Sequence, residues 1–415
     1  MATGSIEFIV LLLLLTLGYS YVPSAWGKRA VLGACSAGFI AQFLPNLQSV
    51  AFLAAFVILG YAVGCRLRAR PDHRLFGGYL VVLVAAFGVV QRYAVADWVL
   101  GDLLSGRTIV VIGLSYMLFR QIHFNVDAMQ GQIPQTTFWG YLNYQINFLT
   151  LVAGPIQRYQ EFSQFWNDPK PLLQTRHQVL SAYLRIFVGV ISVAGVSAAL
   201  LHAHDLMYAA LGETNSKAAA SAPVATTLRA LAVFYLYPMY MYFNFAGYCD
   251  IVIGGAALLG LRLPENFDRV YLARNVLDFW TRWHQTLGFW VRDYLFTPMY
   301  KGLAEWNAAR APALAFLCYF AAFVVMGIWH GTGLGFLIFG LLHGAGASAA
   351  KLWEMYIVRR SGRKGLRQYL QSRWIRVVAI ATMLHYFAFT LIFFSNDVEK
   401  FRVLIRASRH AWFGT

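Results

Sequence analysis

At 415 residues, 59% of them hydrophobic and only 13% charged, with a mean hydropathy of +0.54, the chain is too apolar for a water-soluble globular protein, where about 25% of residues are charged. A formal charge of +16 would suit a nucleic-acid binder, but the basic residues cluster in short loops between apolar runs, as the positive-inside bias of membrane proteins predicts. Nucleic acid is therefore not the expected partner; the lipid bilayer is.

Runs of about 20 apolar residues recur, each long enough to cross a hydrocarbon core of about 30 Å. The short alternating segments of a β-barrel are lacking, and an open sheet cannot span lipid. The expected fold class is all-α, a polytopic integral membrane protein. In chain order the predicted spans are residues 6–22, 30–46, 49–65, 76–92, 108–122, 138–154, 178–201, 228–245, 247–261, 311–328, 332–350 and 375–394. The first run, Ile6–Leu17, has no basic leader and carries Glu7, so it reads as a retained helix rather than a signal peptide.

Lys28 and Arg29 follow that run, which puts the N-terminus outside the cell membrane. By alternation the cluster Arg66, Arg68, Arg70, Arg74 falls inside, and the stretch His202–Thr227, with little positive charge, falls outside. The cluster Arg359, Arg360, Arg363, Lys364, Arg367, Arg373, Arg376 falls inside again. The alternation closes only if 138–154 and 247–261 do not cross fully. Arg120 and Arg158 flank the first and Arg262 and Arg269 lie near the second, so both read as half-helices or re-entrant elements shielded by protein. This leaves about 11 transmembrane helices. Arg274–Gly302 mixes aromatic and charged residues and reads either as a helix dipping in from the cytoplasmic side or as an interfacial amphipathic helix. No internal repeat stands out, and the connections 155–177 and 202–227 are too short to fold alone. Residues 1–415 form one membrane-embedded domain on this reading.

An intramembrane ionisable residue is a functional hypothesis. His330, in Trp329-His330-Gly331-Thr332, follows the apolar run Ala313–Ile328. Its neutral imidazole can accept a proton from an attacking hydroxyl; the plain alternative is a helix break with one satisfied histidine. His284 ends the aromatic stretch Phe279-Trp280-Thr281-Arg282-Trp283-His284. It can orient a substrate or polarise a carbonyl; the alternative is a residue of an interfacial aromatic belt. Gly331, Gly333 and Gly335 lack nucleotide-loop spacing, while Gly340 and Gly344 are in register for close helix packing. His202, His204 and Asp205 are a weak metal candidate with no partner of known spacing. Cys35, Cys65, Cys249 and Cys318 are scattered, so no metal site is expected. His343 and His385 fit polar contacts between helices. Asp250 either pairs with an arginine or orients a histidine. The lack of a GxSxG elbow disfavours an acyl-enzyme.

Four segments resemble the membrane-bound O-acyltransferase family: Asn147–Ile156, Gly260–Asp268, Phe279–His284 and Met326–Gly331. Within residues 140–395 the likeness is to the bacterial polysaccharide and teichoic-acid branch. The ending Leu391–Ser395 and the lack of a Gly-Gly-Asn-Arg-like loop after Tyr294 resemble the D-alanyl transfer group. Tyr248–Asp250 and Pro264–Phe267 resemble the alginate O-acetylase group, so the donor stays open between the two. The resemblance implies a ring of helices around a thin central catalytic region, with a cytoplasmic donor entrance and an outer acceptor funnel. His330 would be the base and His284 the positioning group, with Asn266, Asp278, Arg282, Trp283 and Trp329 shaping the substrate site. No cofactor would be permanently bound. The donor would be the phosphopantetheine thioester of a cytoplasmic acyl carrier protein, or acetyl-CoA. Phe289, Trp290, Phe296, Pro298 and Met299 would form an apolar landing for the carrier. The acceptor would be an extracytoplasmic polymer or glycan, with other envelope-modification membrane proteins as further partners. A transporter or flippase competes with this reading but calls for inverted repeats. A non-catalytic scaffold gives the two aromatic-flanked histidines no use.

Overall fold

The computed structural model describes residues 6–19, 21–91, 109–171, 173, 175–213, 221–307, 311–395 and 398–413. The helices are α1 (Ile6–Tyr19), α2 (Ala25–Ala41), α3 (Leu47–Ala69), α4 (His73–Val90), α5 (Leu114–Met129), α6 (Phe138–Gln145), α7 (Tyr159–Asn167), α8 (Arg176–Val190), α9 (Ala198–Glu213) and α10 (Pro223–Leu258). Then follow α11 (Val276–Trp280), α12 (Gln285–Val291), α13 (Thr297–Trp306), α14 (Ala311–His330), α15 (Leu334–Gln371), α16 (Arg373–Phe394) and α17 (Val398–Phe413). Seven of the described helical stretches are long and apolar enough to cross a bilayer. The chain is thus an all-helical, multi-pass membrane protein, although a count of 11 spans is not reached among the described residues. Part of the predicted span 76–92 and the start of 108–122 lie outside them.

The chain divides into two compact units, one of Met1–Gly189 with Tyr248–Glu265 and one of Val190–Gly247 with Asn266–Thr415. In the first, Phe8, Phe39 and Phe148 meet edge to face or tilted, with centroids 6.0–6.2 Å apart. The predicted span 138–154 is indeed broken, as the eight-residue α6 followed by turns. Arg120 supplies the reason, and it is not the surface flank that the sequence suggested. It is 1% exposed and donates to the carbonyls of Tyr144 and Gln145 at 2.7 Å each and to Thr150 Oγ1 at 2.6 Å. A buried guanidinium thus satisfies the carbonyls that the end of a helix leaves open.

Residues 247–261 are not a separate re-entrant element. Residues 247–258 continue α10, one 36-residue helix of about 54 Å at 1.5 Å per residue. Its polar interruption at Asp250 is neutralised by Arg185, 2.8 Å away, which also forks onto Glu265 at 2.7 and 2.5 Å. Asp250 therefore pairs with an arginine, one of its two expected roles. His202 and His204 also differ from expectation, standing on helix α9 rather than in a loop. His204 is 2% exposed and bonds Asp205 at 2.8 Å.

In the second unit, α14 and α15 form a tight antiparallel hairpin. A Cβ on Gly327 would meet the Phe336 carbonyl at 2.5 Å, and one on Gly340 would meet the Phe323 carbonyl at 2.6 Å. The two backbones touch, as small residues allow in membrane helices. Gly340→Val should therefore destabilise the protein by about 3 kcal/mol or more through overpacking. A lowered midpoint of thermal unfolding in detergent checks this, and an unchanged midpoint would contradict the close approach.

Candidate active site

The site is built from an irregular stretch clamped to itself. Asn266–Asp268 runs antiparallel beside Arg282–Trp283, through a bridge between Phe267 and Trp283. The amide of Asp268 donates to the Arg282 carbonyl at 2.9 Å, and that of Gln285 to the Asn266 carbonyl at 3.0 Å. Asn275 caps α11 by accepting from the Asp278 amide at 2.9 Å. The predicted continuous helix over Arg274–Gly302 is instead α11, a turn, α12, a π-helical segment Arg292–Phe296 and α13. His284 sits at the turn with φ 46° and ψ 50°, a left-handed conformation costing a non-glycine residue about 1–2 kcal/mol.

Its hydrogen bonds fix which nitrogen carries the proton. Asn266 Oδ1 accepts from the Thr286 amide at 3.3 Å and the Thr286 hydroxyl at 2.9 Å. A backbone amide can only donate, so this atom must be the carboxamide oxygen. His284 Nδ1, 3.1 Å from the same atom, must then be the protonated nitrogen, leaving the acceptor lone pair on Nε2. His284 is 3% exposed with Phe245 edge-on at 4.8 Å. Burial, with a lesser contribution from His330, pushes its pKa down to about 3, so the imidazole is neutral at working pH.

Two other histidines on helices of this unit are in different states. His343 is fully buried and has both nitrogens engaged. Trp280 Nε1 donates to its Nδ1 at 3.1 Å, and its Nε2 is 3.1 Å from Thr390 Oγ1. It is the polar helix contact that the sequence suggested. His330 ends α14 half-buried, with Phe394 edge-on at 4.9 Å, Phe339 at 6.0 Å and Trp329 at 4.7 Å. Among the described residues its imidazole has no hydrogen-bond partner. Its ring nitrogens are therefore uncommitted, in a half-buried aromatic setting, and available to a substrate.

An apolar cavity of about 390 Å³ lies along the same helix, lined by Trp280, Phe289, Phe296, Tyr319, Phe323 and Met326 among others. Tyr319, Phe323, Met326 and His330 follow one another at helical spacing, so His330 continues the lined face one turn further. Arg292 stands at the rim, its guanidinium 5.0 Å from the Phe289 ring centroid.

The other predicted site residues have diverse surroundings. Trp283 is buried, stacked on Phe279 at 5.7 Å and packed on Phe387 at 5.1 Å. Asp278 and Arg282 pair with each other at 2.8 Å, and both are about one-quarter exposed. Of the predicted apolar landing, Phe289 and Phe296 line the cavity. Pro298 is exposed and Met299 half-buried, neither lining it. Trp290 is 5% exposed and packs on Tyr294 at 5.5 Å, so it faces inward and is not part of an exposed patch. Sequence reasoning missed Thr286, whose only local signal is its place two residues after His284. It also missed Phe339 and Phe394, which only the tertiary fold brings to His330.

A sequence profile of the membrane-bound O-acyltransferase family matches residues 75–394. The chain is 29% identical over 293 residues to a teichoic acid D-alanyltransferase of Bacillus subtilis, covering 69% of this chain and 68% of that protein. It is 27% identical over 367 residues to a probable alginate O-acetylase of Pseudomonas aeruginosa, covering 83% and 65%. It is 29% identical over 344 residues to a peptidoglycan O-acetyltransferase of Helicobacter pylori, covering 74% and 62%. The chain thus spans roughly two thirds of the length of these curated relatives. With the family match covering the greater part of its length, the chain belongs to the membrane-bound O-acyltransferases and is a membrane acyltransferase.

Proposed function

We propose that this acyltransferase moves a D-alanyl or acetyl group from a cytoplasmic thioester to a hydroxyl of an extracytoplasmic cell-envelope polymer, with His330 as general base. The observation that carries the reading is the uncommitted imidazole of His330, one turn beyond an apolar cavity on the same helix face. A cavity of about 390 Å³ is within the usual range for small-ligand sites and suits a slender pantetheine arm. The donor is then either a carrier protein's phosphopantetheine thioester or acetyl-CoA. The relatives act, by name, on teichoic acid, alginate and peptidoglycan, which supports an envelope acceptor. The protein resides in the cytoplasmic membrane with its N-terminus outside.

In this mechanism His330 takes the proton of the acceptor hydroxyl as its oxygen attacks the thioester carbonyl. The tetrahedral intermediate collapses with breakage of the C–S bond, and the imidazolium returns the proton to the departing thiolate. His284 has its acceptor lone pair on Nε2, so it orients a hydroxyl by accepting its hydrogen bond rather than polarising a carbonyl. The aromatic wall excludes the water that would hydrolyse the thioester.

Offering purified protein D-alanyl carrier protein and acetyl-CoA side by side tests the reading. Transfer from one donor, weakened at least tenfold in KM by Phe323→Trp across the cavity, is the expected result. Transfer with an unchanged KM in that variant would place the donor elsewhere.

A further inference from the structure

Helix α15 does not run straight for its 38 residues. Gly362 has φ 67° and ψ 179°, a conformation open essentially to glycine alone. Beyond it the chain folds back, because Trp353 Nε1 donates to the Tyr369 hydroxyl at 2.9 Å. Sixteen residues of straight helix would hold these groups about 24 Å apart. The two arms of the fold-back, α11 and the first two turns of α16 line a cavity of about 510 Å³, a neighbour of the one along α14 with which it shares Leu277 and Thr281.

The lining has two characters. Leu277, Ile357, Leu366 and Ile375 give it an apolar wall. Its acids are already neutralised, Asp278 by Arg282 at 2.8 Å and Glu354 by Lys351 at 3.0 Å. Its two arginines are not. The Arg274 guanidinium donates to the Leu370 carbonyl, at 3.1 Å, while its backbone amide donates to Asp278 at 2.9 Å, and neither the Arg274 guanidinium nor Arg376 has an ion-pair partner among the described residues. Counting Arg282 and Lys351, which stand outside the lining, the charge around the cavity is net positive. Arg359, Arg360, Arg363, Lys364, Arg367 and Arg373 lie exposed on and around the fold-back, and such a cluster draws anionic headgroups to a membrane surface. Trp353 and Trp374, 53% and 81% exposed, mark the interfacial level where tryptophan anchors.

We infer that this cavity binds one acidic phospholipid, its phosphate between Arg274 and Arg376 and an acyl chain along the apolar wall. The proposal is independent of the acyl-transfer chemistry. The test is native mass spectrometry of the full chain in an uncharged detergent. It is titrated with phosphatidylglycerol, with phosphatidylcholine of the same chains, and with free 4′-phosphopantetheine. The expected result is one retained phosphatidylglycerol whose Kd rises at least tenfold in Arg376→Gln and does not change in Arg402→Gln on α17. Because Arg274 also holds a backbone carbonyl, Arg274→Gln is secondary, and Arg376→Gln decides if it fails to fold. Equal retention of phosphatidylcholine, an Arg376→Gln variant that binds as before, or displacement of the lipid by phosphopantetheine would each overturn the proposal.

Discussion

His330→Ala is expected to lower kcat for acyl transfer by about 10²–10⁴-fold, the usual contribution of a general base. The unfolding midpoint should stay within a few degrees of the parent. The separation of the two effects follows from the surroundings. The imidazole is half-buried, holds no hydrogen bond among the described residues and makes only ring contacts. Its removal therefore strands no buried donor or acceptor. His330→Gln, which keeps hydrogen-bonding capacity but cannot carry the proton, should be equally inactive. Activity retained in Gln would mean that the residue positions substrate without accepting its proton. Donor KM should change little in either variant, because the cavity wall formed by Tyr319, Phe323 and Met326 remains.

The second large effect is expected at the support of His284. Asn266→Leu removes the acceptor of the Nδ1 proton and frees the ring to rotate or change tautomer. Misplacement of a catalytic-site group by about 1 Å can cost about 10²-fold, and a loss of that order in kcat is predicted. His284→Ala should lose about as much, and the double variant no more than either alone, because both act through one imidazole. Thr286→Val should lose less than Asn266→Leu, since the Thr286 amide still holds Asn266 Oδ1, and Thr286→Ser should restore activity. Asn266→Asp gives the pH test. A carboxylate beside the imidazole favours its cation and raises a pKa that burial holds down at about 3. The acid limb of the kcat profile should therefore move to higher pH. An unmoved limb would show that His284 does not set it and that another required base, His330 in this account, does.

Much of this was legible in the sequence, and the reasons for the gaps are physical. Hydropathy places the long helices because lipid demands apolar runs, and the two aromatic-flanked histidines stand out as candidates because imidazole is costly at membrane depth. The sequence misplaced Arg120, because charge near an apolar run normally reports a membrane flank, and nothing local signals that this guanidinium closes the end of α6. It split α10 between the spans 228–245 and 247–261, and the Arg185 that compensates Asp250 lies 65 residues away. Trp290 looked like part of an exposed landing because aromatic spacing cannot tell which side of a short helix faces in. The tautomer of His284 depends on a three-residue network through Thr286 that no motif announces. The aromatic enclosure of His330 comes from α15 and α16, and only folding assembles it.

The most direct test of the account is transfer across a sealed bilayer. The protein is reconstituted into vesicles with labelled thioester donor on the side of the Arg359–Arg376 cluster and a hydroxyl-bearing envelope polymer on the other. The prediction is labelled polymer outside and free thiol inside in equal amounts, with neither formed by His330→Ala. Labelled polymer at the parent rate in that variant, or transfer only when donor and acceptor share one side, would contradict it.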